Sequence, residues 1–392
     1  AQAAVAVLFA IGLNDFLGGD LKKTLVQPNI FGYSFEITSL QVIAVMMIVI
    51  FTTVNCASVV LSGKIATVLT FVKVALIAFV GIGAFVCVTG GTFSHFGMTE
   101  AAGACEGVNA AVRFGSESYS FMAGFGAAML GALWGYDGWN NLTLVAGEIE
   151  RPERNIPVAL IGGTIVIMLL YVFVHIAYFY VLDPTTVASV SSSSTVAKEV
   201  VARFFGGDLA STATGVAVAL FTVGLMLSSI GTLHTSILTG ARVPYAMARD
   251  GLMFAPMGRL SEGTRVPVVA LIVQGIWASV LALSGSFDTL TDYVIFGSWI
   301  FYALATSSVF VFRKKFPDAV RPYRAFGFPI VPSVFLLVAG WLLINTMIST
   351  PTQAFAGIFL ILLGLPVYYY LTKNNWSAAA AAAAENQEGS EE

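Results

Sequence analysis

Charge is scarce in this sequence: Asp, Glu, Lys and Arg make up 10% of its 392 residues, against about 25% in soluble domains. A chain that is 57% hydrophobic, with a mean hydropathy of +0.85, lacks the polar surface to cover itself in water. Lipid is therefore its expected solvent. A basic excess is missing too, since the net charge is −3, and the electrostatic footprint of a nucleic-acid binder goes with it. Cysteine and histidine are equally rare, three of each. Cys56, Cys87 and Cys105 show no CxxC spacing, which removes a zinc site and a disulfide framework. Cys56 and Cys87 fall in apolar runs, where a small buried residue is the simpler reading. No HExxH, no GxSxG and no paired catalytic acids lie in the apolar segments, so an enzyme, a metal and a cofactor are not expected.

What is present is long apolar runs. A crossing helix needs about 20 mostly apolar residues. Runs of that kind cover 38–60, 65–89, 119–148, 157–182, 211–239, 267–284, 289–312, 327–349 and 353–371, which predicts nine complete spans. The opening "AQAAVAVLFAIGLNDFL" is apolar from its first residue and reads as the second half of a span in a chain truncated at its N-terminus. Helices are expected, because an isolated strand in lipid leaves its backbone unsatisfied, and the alternation of an outer-membrane barrel is missing. Counted on alternate loops, five Lys and Arg (Lys22, Lys23, Arg113, Lys198, Arg203) fall on one side and thirteen on the other, with Lys73 inside a span. The positive-inside bias puts the richer side in the cytoplasm, together with the C-terminus. Loops 90–118 and 183–210, the latter with "SVSSSS", then face outward. The spans form one transmembrane domain over 1–373. The acidic, low-complexity tail 374–392 is expected to be disordered.

Span 119–148 breaks its own pattern. "SYSFMAGFGAAMLGAL" is helical and rich in small residues that allow close helix approach, but "WGYDGW" places two glycines around an acid, between aromatics. That is poor helix sequence and good sequence for an unwound bend. Unwound backbone at membrane depth is tolerated only against protein or a watery cavity, and half-helices meeting at such a break build binding sites in secondary transporters. A glycine-hinged kink with packed aromatics is the plainer alternative. Asp137 favours the cavity, because a carboxylate at a helix centre costs about 3 kcal/mol in lipid. Lys73, the ninth residue of its span, lies roughly 12 Å deep. It must find carbonyl or hydroxyl acceptors, give up its proton, or bend back to the interface.

"WGYDGWNNLTLVAGEIERPERNIPVAL" closely resembles the sixth helix and following loop of permeases of the amino acid–polyamine–organocation superfamily, and the nearest group is the L-type amino acid transporters. "GKIATVLTFVKVALI", "GARVPYAMARDGLMF" and "RPYRAFGFPIVP" resemble further family segments, so that the likeness covers Ala1 to Lys373. The resemblance implies an all-α integral membrane fold of the leucine-transporter inverted-repeat type, here the end of the third family helix plus the fourth to twelfth. The first helix, which carries the family's other substrate-binding break, falls outside this sequence. Trp134, Gly135, Tyr136, Asp137, Gly138, Trp139 and Asn140 are implied to hold substrate, with Trp134 in place of the usual Phe gate. Lys73 stands where sodium-independent members carry a lysine in place of a sodium ion. Ser228 and Ser229 match the facing cation-site positions, although Ser in membrane helices also bonds its own backbone. Phe296, Ser298 and Trp299 resemble residues that line or brace the pocket, with core packing the alternative. The isolated His234 and His175 read as packing or interhelical hydrogen-bonding residues.

The function implied is a sodium-independent amino-acid exchanger or facilitator in the cell (plasma or inner) membrane, working by alternating access. Proton-coupled uptake through Lys73 is the second reading, and a non-transporting amino-acid sensor is the reading from another class. Animal L-type members join a glycoprotein through a cysteine in the loop between the third and fourth helices. The matching loop, 17–36, has no cysteine, so no such disulfide-linked partner is expected.

Overall fold

The computed structural model describes residues 1–19, 21, 23–27, 29–30, 33–34, 36–57, 59–98, 121–190, 194–206, 211–284, 287–321 and 323–372. The tail 374–392 and most of loop 90–118, with Cys105 and Arg113, lie outside the described residues, as do Lys22 and Ser191–Ser193. Ten main helices follow one another: α1 (Gln2–Phe16), α2 (Ser39–Ala57), α3 (Val59–Cys87), α4 (Phe121–Tyr136), α5 (Pro152–Val181), α6 (Thr212–Gly240), α7 (Val268–Ser284), α8 (Phe287–Lys315), α9 (Ile330–Ser349) and α10 (Pro351–Leu362). Between α1 and α2, Thr24–Val26 pairs antiparallel with Ile37–Thr38, and Asn29–Ile30 with Tyr33–Ser34.

Among the described residues seven helices are long and apolar enough to cross a membrane, counting Ala354–Thr372, which continues α10 through a turn at Leu363, against the nine complete spans expected. Helix α7 has 17 residues. Helix α4 has 16 because the expected span 119–148 is interrupted after Tyr136. Helix α5 starts at Pro152, five residues before the expected boundary. Proline there suits a first turn, where its missing N–H removes no hydrogen bond; Pro157, expected to open the helix, lies inside it.

Helix α1 is apolar all round and is accordingly enclosed. Its Ala4, Ala6 and Ala10 have no exposed surface, and it packs in one core with Ala44 and Ile48 of α2, Leu233 and Ile237 of α6, and Ala270 and Leu271 of α7. A second core joins Val80 and Ala84 of α3, Val174 and Ala177 of α5, and Ala217 and Phe221 of α6 to Val200 and Val201 of a short helix, Val196–Ala202. Helix α6 therefore belongs to both cores. A third, smaller core joins Leu130 of α4, Ile295 of α8 and Leu342 of α9. Large apolar side chains outside these cores, such as Val158, Leu169, Leu337 and Phe359, are exposed, as they are on helices whose outer solvent is lipid.

Two contacts check which loops share a side. Asp15, at the end of α1, forms an ion pair with Lys198, and Thr92 N–H donates to the Tyr180 carbonyl. The loops after α1, α3 and α5 thus lie on one face, as the count of basic residues requires.

Candidate functional site

Glycines set the distance between α3 and α6. A side-chain carbon at Gly231 would stand 2.8 Å from Leu69, and one at Gly224 would stand 2.7 Å from Leu76. Lys73 lies between those two leucines, at the midpoint of α3. The helix starts six residues before the apolar run 65–89. Its ammonium donates to Thr232 Oγ1 at 2.6 Å, and the Thr232 hydroxyl donates onward to the Ser228 carbonyl at 3.1 Å. Ser228 therefore takes part through its carbonyl. Ser229 donates to the Leu225 carbonyl at 2.9 Å, the backbone bond that serine makes in membrane helices. The hydroxyl acceptor of Lys73 is thus one turn along from the serine pair, and Thr232 is a residue that sequence reasoning missed. Gly231→Val should force α3 and α6 apart at this point. Overpacking of this kind costs about 1–3 kcal/mol. A lowered thermal midpoint, with Lys73 newly reactive towards amine reagents, is the expected result.

The break follows α4. Gly135 and Tyr136 remain helical, and the unwinding is confined to Asp137 and Gly138, a narrower gap than Gly135–Gly138. Gly138 adopts φ 107° and ψ −6°, a left-handed conformation that glycine takes without strain. The chain then continues as a 3-10 helix, Trp139–Glu148, rather than as a second α-helix. The Gly135 carbonyl takes the Tyr171 hydroxyl of α5 at 2.8 Å. Side-chain donors filling a freed carbonyl are what a break at membrane depth needs. Asp137 is held from α8: Tyr302 Oη donates to its Oδ1 at 2.7 Å, Trp139 lies 5.4 Å from the Tyr302 ring, and Ser298 is a further hydrogen-bonding neighbour of Tyr302.

Lys73 and the break open onto one cavity of about 2050 Å³, larger than the ~300–1,000 Å³ of common ligand pockets. Trp134, Gly135, Tyr136, Asp137, Gly138, Trp139 and Asn140 all line it, as do Lys73, Ser228, Ser229, Thr232, Ser298 and Tyr302. From Phe221 to Gly240 the cavity follows α6 for roughly 28 Å, most of the thickness of a bilayer core. Phe296 and Trp299 are not on it. Phe296 is buried beside Gly357, and Trp299 stacks on Phe335 at 5.4 Å. They brace α8 while Val294, Ser298 and Tyr302, spaced one turn apart, face the cavity. His175 lines the cavity with its Nδ1 donating to the Tyr171 carbonyl at 2.7 Å, and His234 is buried, 3.1 Å from Asn55 Nδ2. Among the described residues no group of His, Cys, Asp or Glu could hold a metal ion.

A multi-helix fold with a broken helix and a half-buried lysine on one long cavity is an arrangement from which membrane proteins build binding sites. A family model described as "Amino acid permease" matches residues 2–370, so the chain belongs to the amino acid permease family and is an integral, multi-pass membrane protein. It is 30% identical over 321 residues to the b(0,+)-type amino acid transporter 1 of Rattus norvegicus, covering 82% of this chain and 60% of that protein. It is 31% identical over 261 residues to the serine/threonine exchanger SteT of Bacillus subtilis (strain 168), covering 66% and 57%. A third relative, the large neutral amino acids transporter small subunit 2 of Mus musculus, is 28% identical over 333 residues, covering 85% and 58%. The chain thus spans about three fifths of the length of the curated relatives it matches.

Proposed function

We propose that this chain forms the core of a sodium-independent amino-acid transporter that exchanges or equilibrates its substrate by alternating access. One observation carries the reading: the only acid in α4 and its break, Asp137, is fixed by Tyr302 beside freed backbone, on the same cavity that holds Lys73. The groups suit a zwitterion. Donors and acceptors of the broken backbone can meet its carboxylate and amine, and the apolar and aromatic walls can take its side chain. Lys73, tied to α6 through Thr232, puts a fixed positive charge between two helices, so that a dissolved sodium ion is not needed to join them. The names of relatives, all amino-acid transporters or exchangers, support the substrate class. The basic-residue asymmetry supports a cytoplasmic C-terminus in a plasma or inner membrane. Loop 17–36 has no cysteine from which a disulfide to a partner could form.

Flux in sodium-free proteoliposomes tests this. Labelled amino acid outside should enter against unlabelled amino acid inside, at a rate unchanged by an imposed pH gradient. Entry that requires the pH gradient would move the assignment to proton coupling. Saturable binding without any counterflow would make the chain a sensor.

A further inference from the structure

We propose that Asp15 and Lys198 control access to the cavity from the face that carries the loops after α1, α3 and α5. Their ion pair latches the helix Val196–Ala202 across that end. The inference rests on the transport reading for its consequence, but the closure itself is a matter of geometry. Thr195 and Ala197, at the start of this helix, line the cavity together with Phe96 and Phe179, so the helix is part of the cavity wall at that end. Helix α1 forms another wall through Gln2, Val5 and Leu8. The pair therefore joins a wall to a cover, over 2.9 Å.

The cover is fastened in two different ways. On one side Val200, Val201 and Phe204 are fully buried against α3, α5 and α6, and the Phe204 carbonyl accepts the Thr214 hydroxyl. That attachment is apolar and permanent, since breaking it would expose the second core. On the other side, towards α1, the Asp15–Lys198 pair is the salt bridge found among the described residues. Its side chains keep 17% and 26% exposure, so water can replace the partners when they part. A partly wet ion pair is weak enough to break and remake. A cover hinged on a core and closed by such a pair can swing without unfolding. The helix is also held in shape locally, because Thr195 caps it by accepting from the Lys198 N–H, which fixes where the lysine starts. The separation of the two residues along the chain, with α2 to α5 between them, means that the latch reports the relative position of distant segments.

The experiment uses the intact protein in proteoliposomes, with Cys56, Cys87 and Cys105 replaced by serine and one cysteine introduced by Ile77→Cys. Ile77 lines the cavity one turn beyond Lys73, towards the covered end. The probe is a membrane-impermeant, positively charged methanethiosulfonate applied from the side of these loops. Asp15→Asn and Lys198→Gln should each raise the labelling rate severalfold. The charge-swapped chain, Asp15→Lys with Lys198→Asp, should return it towards the parent rate. Labelling at the parent rate in both single variants overturns the proposal. So does fast labelling that persists in the swapped chain after its thermal midpoint has returned to the parent value, because the pair would then serve stability alone. Labelling reads access and not flux, so a failed latch and a failed transport assignment give different results.

Discussion

Lys73→Met is expected to reduce sodium-free amino-acid uptake about 10- to 100-fold while the protein remains folded. The ammonium donates to Thr232 across the α3–α6 interface, and hydrogen bonds from charged groups are worth about 1.5–3 kcal/mol. At about 1.4 kcal/mol per factor of ten, this range gives the stated loss if the bond is used in only one state of the cycle. Methionine fills nearly the same volume and removes the cost of holding a charge at membrane depth. The thermal midpoint should therefore stay level or rise, which separates lost function from lost fold. Thr232→Val tests the same bond from the other side. It leaves Lys73 without its hydroxyl acceptor, and its uptake should fall in the same direction.

Asp137→Asn should raise the substrate concentration for half-maximal uptake by about tenfold or more, with Tyr302→Phe giving a smaller change of the same sign. The carboxylate is the formal charge at the break, and it is oriented by the 2.7 Å bond from Tyr302. Asparagine keeps the shape and loses the charge, so the change isolates electrostatics from packing. Phenylalanine keeps the ring packed, tilted against Trp139 and edge-on to Trp299, and removes only the hydroxyl. Asp137→Asn removes the charge that would face the amine of the substrate and also weakens the bond from Tyr302, whereas Tyr302→Phe leaves that charge in place, which is why the loss at Asp137 should exceed the loss at Tyr302.

The break itself was legible because glycine chemistry is local: Gly138 needs no neighbour to make a left-handed turn favourable. Its width was not, because whether Gly135 stays helical depends on Tyr171 reaching its carbonyl from another helix. Lys73 stood out as a charge in an apolar run, yet its acceptor depends on how far α3 and α6 slide along each other. That height decides between Ser228 and Thr232, two residues one turn apart on the same face, and no local signal contains it. Tyr302 could have been found: it lies four residues after Ser298, and helical spacing puts both on one side. The same spacing places Phe296 and Trp299 away from that line, where the structure packs them. The inner position of α1 was readable from its uniform apolarity. The short strands between α1 and α2 were not, since pairs of two or three residues carry almost no pattern.

The unwound turn at Asp137 and the cation at Lys73 should together hold an amino acid in one cavity. Equilibrium binding of labelled amino acid to the intact purified protein in sodium-free buffer tests this most directly. Saturable binding that weakens about tenfold or more in both Asp137→Asn and Lys73→Met is the expected result. Equal affinity in the parent and both variants would contradict it.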